Sequence, residues 1–124
     1  MKIASFTLMP DSENEINLTS KAFPCSGYYR SYNVFNTITI HTDKLLGRLY
    51  FEGTLAQYPE EKDWFSIVIN NSEYLEYDGS ESNKSEFYNI INNITNIRVK
   101  LDRSYIENLD TSKMGRVEKI YLAF

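Results

Sequence analysis

The chain is poor in the residues that small domains use as staples and metal ligands. It has one cysteine and one histidine in 124 residues. A lone thiol, Cys25, closes no intrachain disulfide, which excludes a disulfide-stapled secreted scaffold. Cys25 and His41 are too few ligands for a zinc site, so no metal and no cofactor are expected. Positive charge is also in short supply. Lys and Arg total 13 against 17 Asp and Glu, a formal charge of −4 without any basic cluster. Nucleic acid binding needs a concentrated basic surface, so nucleic acid is not an expected partner. No apolar run approaches the ~20 residues of a membrane-spanning helix. The first ten residues carry one positive charge and a short, interrupted apolar stretch, less than a secretory leader requires. The expectation is a chain made and folded in the cytoplasm, with no membrane partner.

What the chain has instead is tyrosine. Ten Tyr and seven Phe bring the aromatic fraction to 15%. Tyrosine joins apolar area to a polar tip, which suits half-exposed sheet faces and contact surfaces. A length of 124 residues is that of one domain, large enough to bury a core without staples.

The hydrophobic pattern is strand-like almost throughout. Apolar residues alternate with polar ones over residues 3–8 (Phe6, Leu8), 34–42 (Ile38, Ile40), 46–56 (Leu49, Phe51, Gly53, Leu55), 94–102 (Ile97, Val99, Leu101) and 117–124 (Ile120, Leu122, Phe124). Such a period of two predicts strands with one buried face. Residues 64–70 are apolar on both sides, with Phe65, Ile67 and Ile69 opposing Trp64 and Val68, which predicts a central strand. Shorter strands are expected at 27–30, 73–77 and 87–91, the polar 73–77 at an edge. Gly53 inside a strand marks a bulge or a close approach. Residues 9–25 read as a long loop, and 103–114 as a polar connection. Residues 102–109 have room for one helical turn. With no amphipathic helix, the expected architecture is a single all-β domain over residues 1–124. It is an antiparallel β-sandwich of eight or nine strands with jelly-roll-like connectivity.

Candidate chemistry is sparse. A Ser/His/Asp or Cys/His arrangement would have to use His41, which lies on the polar side of a strand among threonines and reads as a surface or cross-strand histidine. No cation flanks Cys25 to lower its pKa, so it reads as a passive small residue. The acidic groups Glu60-Glu61…Asp63 and Asp78…Glu81 lack the ligand spacing of a calcium loop and read as solvated turns. No catalytic residue is assigned, and the chain is not expected to be an enzyme. Trp64 and the tyrosines could stack on sugars, but exposed Tyr equally marks protein contacts, where it is enriched.

Three ordered segments carry a family resemblance. They are Ser26-Gly-Tyr-Tyr29; Thr54-Leu-Ala followed by Pro59-Glu and Asp63-Trp-Phe-x-Ile67; and Ile97-Arg-Val-Lys-Leu101 followed by Gly115-Arg-Val-x-Lys-Ile-x-Leu122. Together they resemble a family of small virion structural proteins of contractile-tailed, cyanophage-like bacteriophages, over about residues 26–124. That family often has Gly-Asn-Phe-x-Trp ahead of the Ile-Arg strand; here Asn93-Ile-Thr-Asn96 stands in its place.

The resemblance implies a β-sandwich on a phage particle, as a head decoration, neck, tail or baseplate protein. It would be synthesised in the host cytoplasm and present in many symmetric copies against other virion proteins. By analogy with such modules, the two terminal strands are expected to lie close in space. The candidate contact surface is Tyr28 and Tyr29 with the loop residues Asp11, Asn14 and Asn17. The alternative is a carbohydrate-binding sandwich for host attachment, with Trp64 as the sugar-stacking residue and a host-surface glycan as partner.

Overall fold

A computed structural model describes residues 5–25, 35–91 and 93–124. The described strands are β1 (Ser5–Met9), β2 (Leu18–Thr19), β3 (Phe23–Pro24), β4 (Phe35–Asp43), β5 (Leu46–Thr54), β6 (Phe65–Ser66), β7 (Leu75–Asp78), β8 (Lys84–Ile91), β9 (Asn96–Asp102) and β10 (Arg116–Ala123). The period-two pattern is clearest in β4. Asn36, Ile38, Ile40 and Thr42 point inward and are buried, while Thr37, Thr39, His41 and Asp43 point outward. In β10 the alternation slips between Val117 and Lys119, where the register with β4 shifts. That bulge lets Val117 and Ile120 face the same core.

All pairings are antiparallel, in two sheets ordered β1-β10-β4-β8 and β2-β9-β5-β6. β3 shares the β9 edge with β2, and β7 shares the β5 edge with β6. The ten segments therefore occupy eight positions. Counted in chain order, one sheet runs first, eighth, third, sixth and the other second, seventh, fourth, fifth. This is the connectivity of a jelly roll. The expected fold is borne out, with β1 and β10 side by side. Ile38, Ile40, Ile120 and Leu122 of one sheet and Leu49, Phe51, Val99 and Leu101 of the other share one core. Gly53 has no bulge; a Cβ there would lie 3.0 Å from Ile94 Cγ2 and 3.2 Å from Ile67 Cδ1. It is a close approach beneath β5.

Several expectations change. The loop over residues 9–25 contains β2 and β3, which pair with β9 at the sheet edge. Residues 64–70 are not a central strand. Only Phe65 and Ser66 pair with β5, at its outer edge, and Ile69 makes an isolated bridge to Ser72. Leu55 and Phe65, expected in the core, are 69% and 43% exposed. β5 ends at Thr54, so Leu55 leaves the sheet, and β6 is a two-residue edge strand that leaves Phe65 partly exposed. The helical turn expected within 102–109 is replaced by a 3-10 turn at Thr111–Lys113. The strand expected at residues 27–30 lies outside the described residues.

The polar connection hides a buried cation. Arg103 is 1% exposed. Its guanidinium donates to the carbonyls of Leu46 (2.6 Å), Glu15 (2.7 Å) and Met114 (3.0 Å), with longer contacts to Ile16 and Gly115. Its backbone N–H donates to Asn17 Oδ1 at 2.8 Å. Among the described residues no carboxylate pairs with it, and burial lowers its pKa below the usual arginine value. Gly47, at φ 147°, makes room for it: a Cβ there would meet Arg103 Cγ at 3.0 Å. Replacing Arg103 with Met keeps the stem and removes every donor. Each orphaned buried carbonyl costs roughly 1–3 kcal/mol, so Arg103→Met is expected to destabilise the fold by about 3 kcal/mol or more. A lower urea midpoint with unchanged slope is the expected reading; an unchanged midpoint would contradict it.

Candidate functional site

The two outer faces of the sandwich differ in charge. On the sheet containing β5 and β9, Arg48, Tyr50 and Glu52 stand opposite Asp102, Lys100 and Arg98. Arg98 is fixed on three sides. Its Nε is 2.7 Å from Glu52, its Nη2 is 2.8 Å from Glu61, and its guanidinium lies 4.4 Å over the Trp64 ring. The Arg98 hydrogen bonds hold the Glu61 carboxyl below the usual carboxylate range. Arg48 sits between the rings of Tyr74 (4.4 Å) and Tyr105 (3.8 Å) and pairs with Glu76 at 2.8 Å. The two arginines of this face are satisfied by its carboxylates and rings, while Lys100 is exposed.

The outer face of β1-β10-β4-β8 is nearly free of charge. Its central row, read across the strands, is Thr7, Tyr121, Thr39, Phe87. The next row is Ser5, Ala123, Thr37, Asn89, and Phe35 lies beyond it on β4. Phe87 and Phe35 are 67% and 58% exposed, and Tyr121 38%. The formal charges within these rows and the one below are confined to the β10 bulge, Lys119 opposite His41 with Glu118 beside it. Cross-strand bonds stiffen the face: Thr37 Oγ1 donates to Asn89 Oδ1 at 2.7 Å, and His41 Nδ1 lies 2.8 Å from Ser85 Oγ. Aromatic rings with few charges are the composition of an interface centre.

β8 is the edge of that sheet, and two of its inward positions are charged. Lys84 pairs with Glu81 at 2.9 Å and lies over the Tyr77 ring at 5.4 Å. Glu86 accepts hydrogen bonds from the hydroxyls of Tyr77 and Tyr88. Inward-pointing charge is a known guard against edge-to-edge pairing. Burial and the bonded carboxylate push the Tyr88 phenol up to about 12, and raise that of Tyr77 further.

The structure separates the residues singled out from sequence. Asp11 and Asn14 line a polar cleft of about 730 Å³ at one end of the sandwich, with Glu13, Lys44, Lys113 and Arg116. Asp11 pairs there with Arg116 at 3.4 Å. Asn17 faces Arg103 and serves the fold. Tyr28 and Tyr29 lie outside the described residues. Trp64 is half-buried with one ring face under Arg98. His41 is a cross-strand residue; beside Ser85 it lacks a contacting carboxylate among the described residues. Lys119 stands opposite it on β10. Cys25 is fully buried and its thiol donates to the Ile94 carbonyl at 3.1 Å. The acidic segments do turn work: Glu60 and Asp63 form a reciprocal cap, and Asp78 Oδ1 accepts from Ser80. The aromatic row was missed because it joins residues of four strands, and only their register brings them together. The local signal was the uncharged alternation Phe35, Thr37, Thr39 on β4.

No protein-family model, no curated protein and no solved structure matches the chain.

Two outcomes follow from this chemistry. A double-mutant cycle of Arg98→Ala and Trp64→Leu is expected to give a coupling of about 1 kcal/mol, and Arg98→Ala alone should shift Trp64 fluorescence. Additive single effects would refute the stack. In alkaline titration, Tyr88 is raised in the folded state relative to the unfolded chain, so its contribution is intact below pH ~10 and fades as pH rises towards ~12. Absorbance of phenolate should show late-ionising tyrosines, and Tyr77→Phe should remove the latest of them. Uniform titration of every tyrosine near pH 10 would contradict the Glu86 geometry.

Proposed function

We propose that the protein is a non-enzymatic structural component of a bacteriophage virion that works through protein–protein contacts. Head decoration, neck, tail and baseplate are the settings that the resemblance implies. The observation that carries the contact reading is the outer face of β1-β10-β4-β8, where Phe87, Phe35 and Tyr121 stand exposed in an almost charge-free surround. Burying such a face removes apolar area from water without stripping ions of their hydration. The opposite face, already ion-paired, would lose more on desolvation. Support for the virion setting comes from the ordered segments at Ser26, Asp63 and Ile97, and from the frequent use of jelly rolls in capsids.

A second reading, a glycan-binding module in host attachment, is favoured by the polar cleft at Asp11 and Asn14. An array signal that disappears on Asn14→Ala would support it, and a flat array would remove it.

Mass spectrometry of purified particles tests the first reading. The chain is expected at a fixed, integral copy number, and Phe87→Asp is expected to deplete it at least tenfold while it stays folded. Its absence from particles, or normal content of the Phe87→Asp variant, would overturn this reading.

A further inference from the structure

The central row of the exposed face alternates small and large residues: Thr7, Tyr121, Thr39, Phe87 across β1, β10, β4 and β8. The geometry points to a second copy of this chain as the occupant of the face. This rests on reading the face as a contact surface, and it names the partner. Consider a twofold axis parallel to the strands, running between β10 and β4. It reverses strand order in the facing copy, so Phe87 lies over the partner copy's β1 and Tyr121 over its β4. Each ring then meets a threonine, and each threonine meets a ring. An axis across the strands would instead set ring on ring and threonine on threonine, leaving gaps beside every clash.

The neighbouring rows tolerate the same operation. Asn89 falls over Ser5 and Thr37 over Ala123, all small and uncharged. At the rim Lys119, with Glu118 beside it in the β10 bulge, falls over His41. Such a pairing is isologous and closed, and it matches the aligned packing of two sheets about 10 Å apart.

The area is sufficient. Four strands about 4.8 Å apart, three taken at about seven residues and β1 at five, with a rise of about 3.4 Å, give a footprint of roughly 420 Å². Side-chain relief raises the accessible surface covered to roughly 600 Å² per copy, so the pair reaches about 1,200 Å², the lower end of specific interfaces. A reversible dimer follows, with dissociation in the micromolar range typical of modest interfaces.

Sedimentation equilibrium with a size-swap series tests this. The intact chain is expected to pass from 14.5 kDa to twice that mass as concentration rises. Phe87→Thr should weaken the dimer at least tenfold, and adding Thr7→Phe should restore it, because the ring and its gap have changed places. Thr39→Arg should abolish it, while Lys100→Ala on the opposite face should leave it unchanged. Circular dichroism and thermal melts confirm that each variant is folded. A chain monomeric up to about 0.5 mM, far above a micromolar dissociation constant, overturns the pairing. So does a dimer indifferent to Thr39→Arg, or one that the swap fails to rescue. The contact reading is judged separately, from the particle content of Phe87→Asp. A monomer whose Phe87→Asp variant is still lost from particles overturns the self-pairing alone.

Discussion

The guanidinium of Arg103 closes the end of the sandwich at which three segments meet. The loop before β2, the start of β5 and the loop before β10 each turn carbonyl oxygens inward there, away from their ladders. Buried carbonyls need donors. Arginine offers five N–H groups in a fixed planar fork, and it bonds Leu46, Glu15 and Met114 at once. Lysine has a single ammonium on a flexible stem and cannot span that spread. The cation is itself stabilised by oriented carbonyl dipoles instead of a carboxylate. Gly47 leaves the space it occupies, and Asn17 holds its backbone. The long N-terminal segment is therefore tied down at its middle, and only its turn around Asp11 and Asn14 is left to line the cleft.

With the end of the fold secured, the two outer faces can differ in kind. A face whose arginines are clamped between rings and carboxylates has little to offer a partner, because each new contact competes with one already made. Its order also gives the sheet rigidity, through Arg98 on Trp64 and Arg48 between Tyr74 and Tyr105. The other face holds threonine, serine, alanine and asparagine with three exposed aromatic residues. Nothing there needs to be unpaired before it is covered. In a chain of net charge −4, the charges of the three central rows are confined to the β10 bulge at Glu118 and Lys119, the distribution that the proposed contact role would call for.

Much of this fold was legible in the residue pattern, and the failures have local causes. β4, β5, β9 and β10 follow period two closely, so their inward residues and the sandwich could be read directly. Residues 64–70 misled because their apolar character has different uses along the segment. Trp64 stacks under Arg98, Phe65 and Val68 are exposed, and only Ile67 and Ile69 enter the core. The reciprocal Glu60–Asp63 cap and the left-handed Asn70 and Asn71 bound the stretch, and two residues pair with β5. Arg103 gave no signal at all, since an arginine opening a polar connection looks like any solvated residue. The exposed aromatic row was invisible for another reason. Its members are separated by up to 114 positions along the chain, Thr7 to Tyr121, and become neighbours only once strand order and register are set.

The treatment of the β8 edge bears on why a face, and not an edge, would serve for association. An open antiparallel edge binds any other open edge, and repeated pairing has no natural end. Lys84 and Glu86 point inward along the first half of β8, so an incoming strand would meet charges already bound to Glu81 and to two tyrosine hydroxyls. Extending the sheet there would bury those ions more deeply without new partners, which is unfavourable. Phe87 directly follows Glu86 in sequence but lies on the opposite side of the sheet. One strand thus refuses lateral growth with its inward residues and presents an apolar knob with an outward one. Under the proposed pairing, association would be steered off the edge and onto a surface of finite width, where contacts close on themselves.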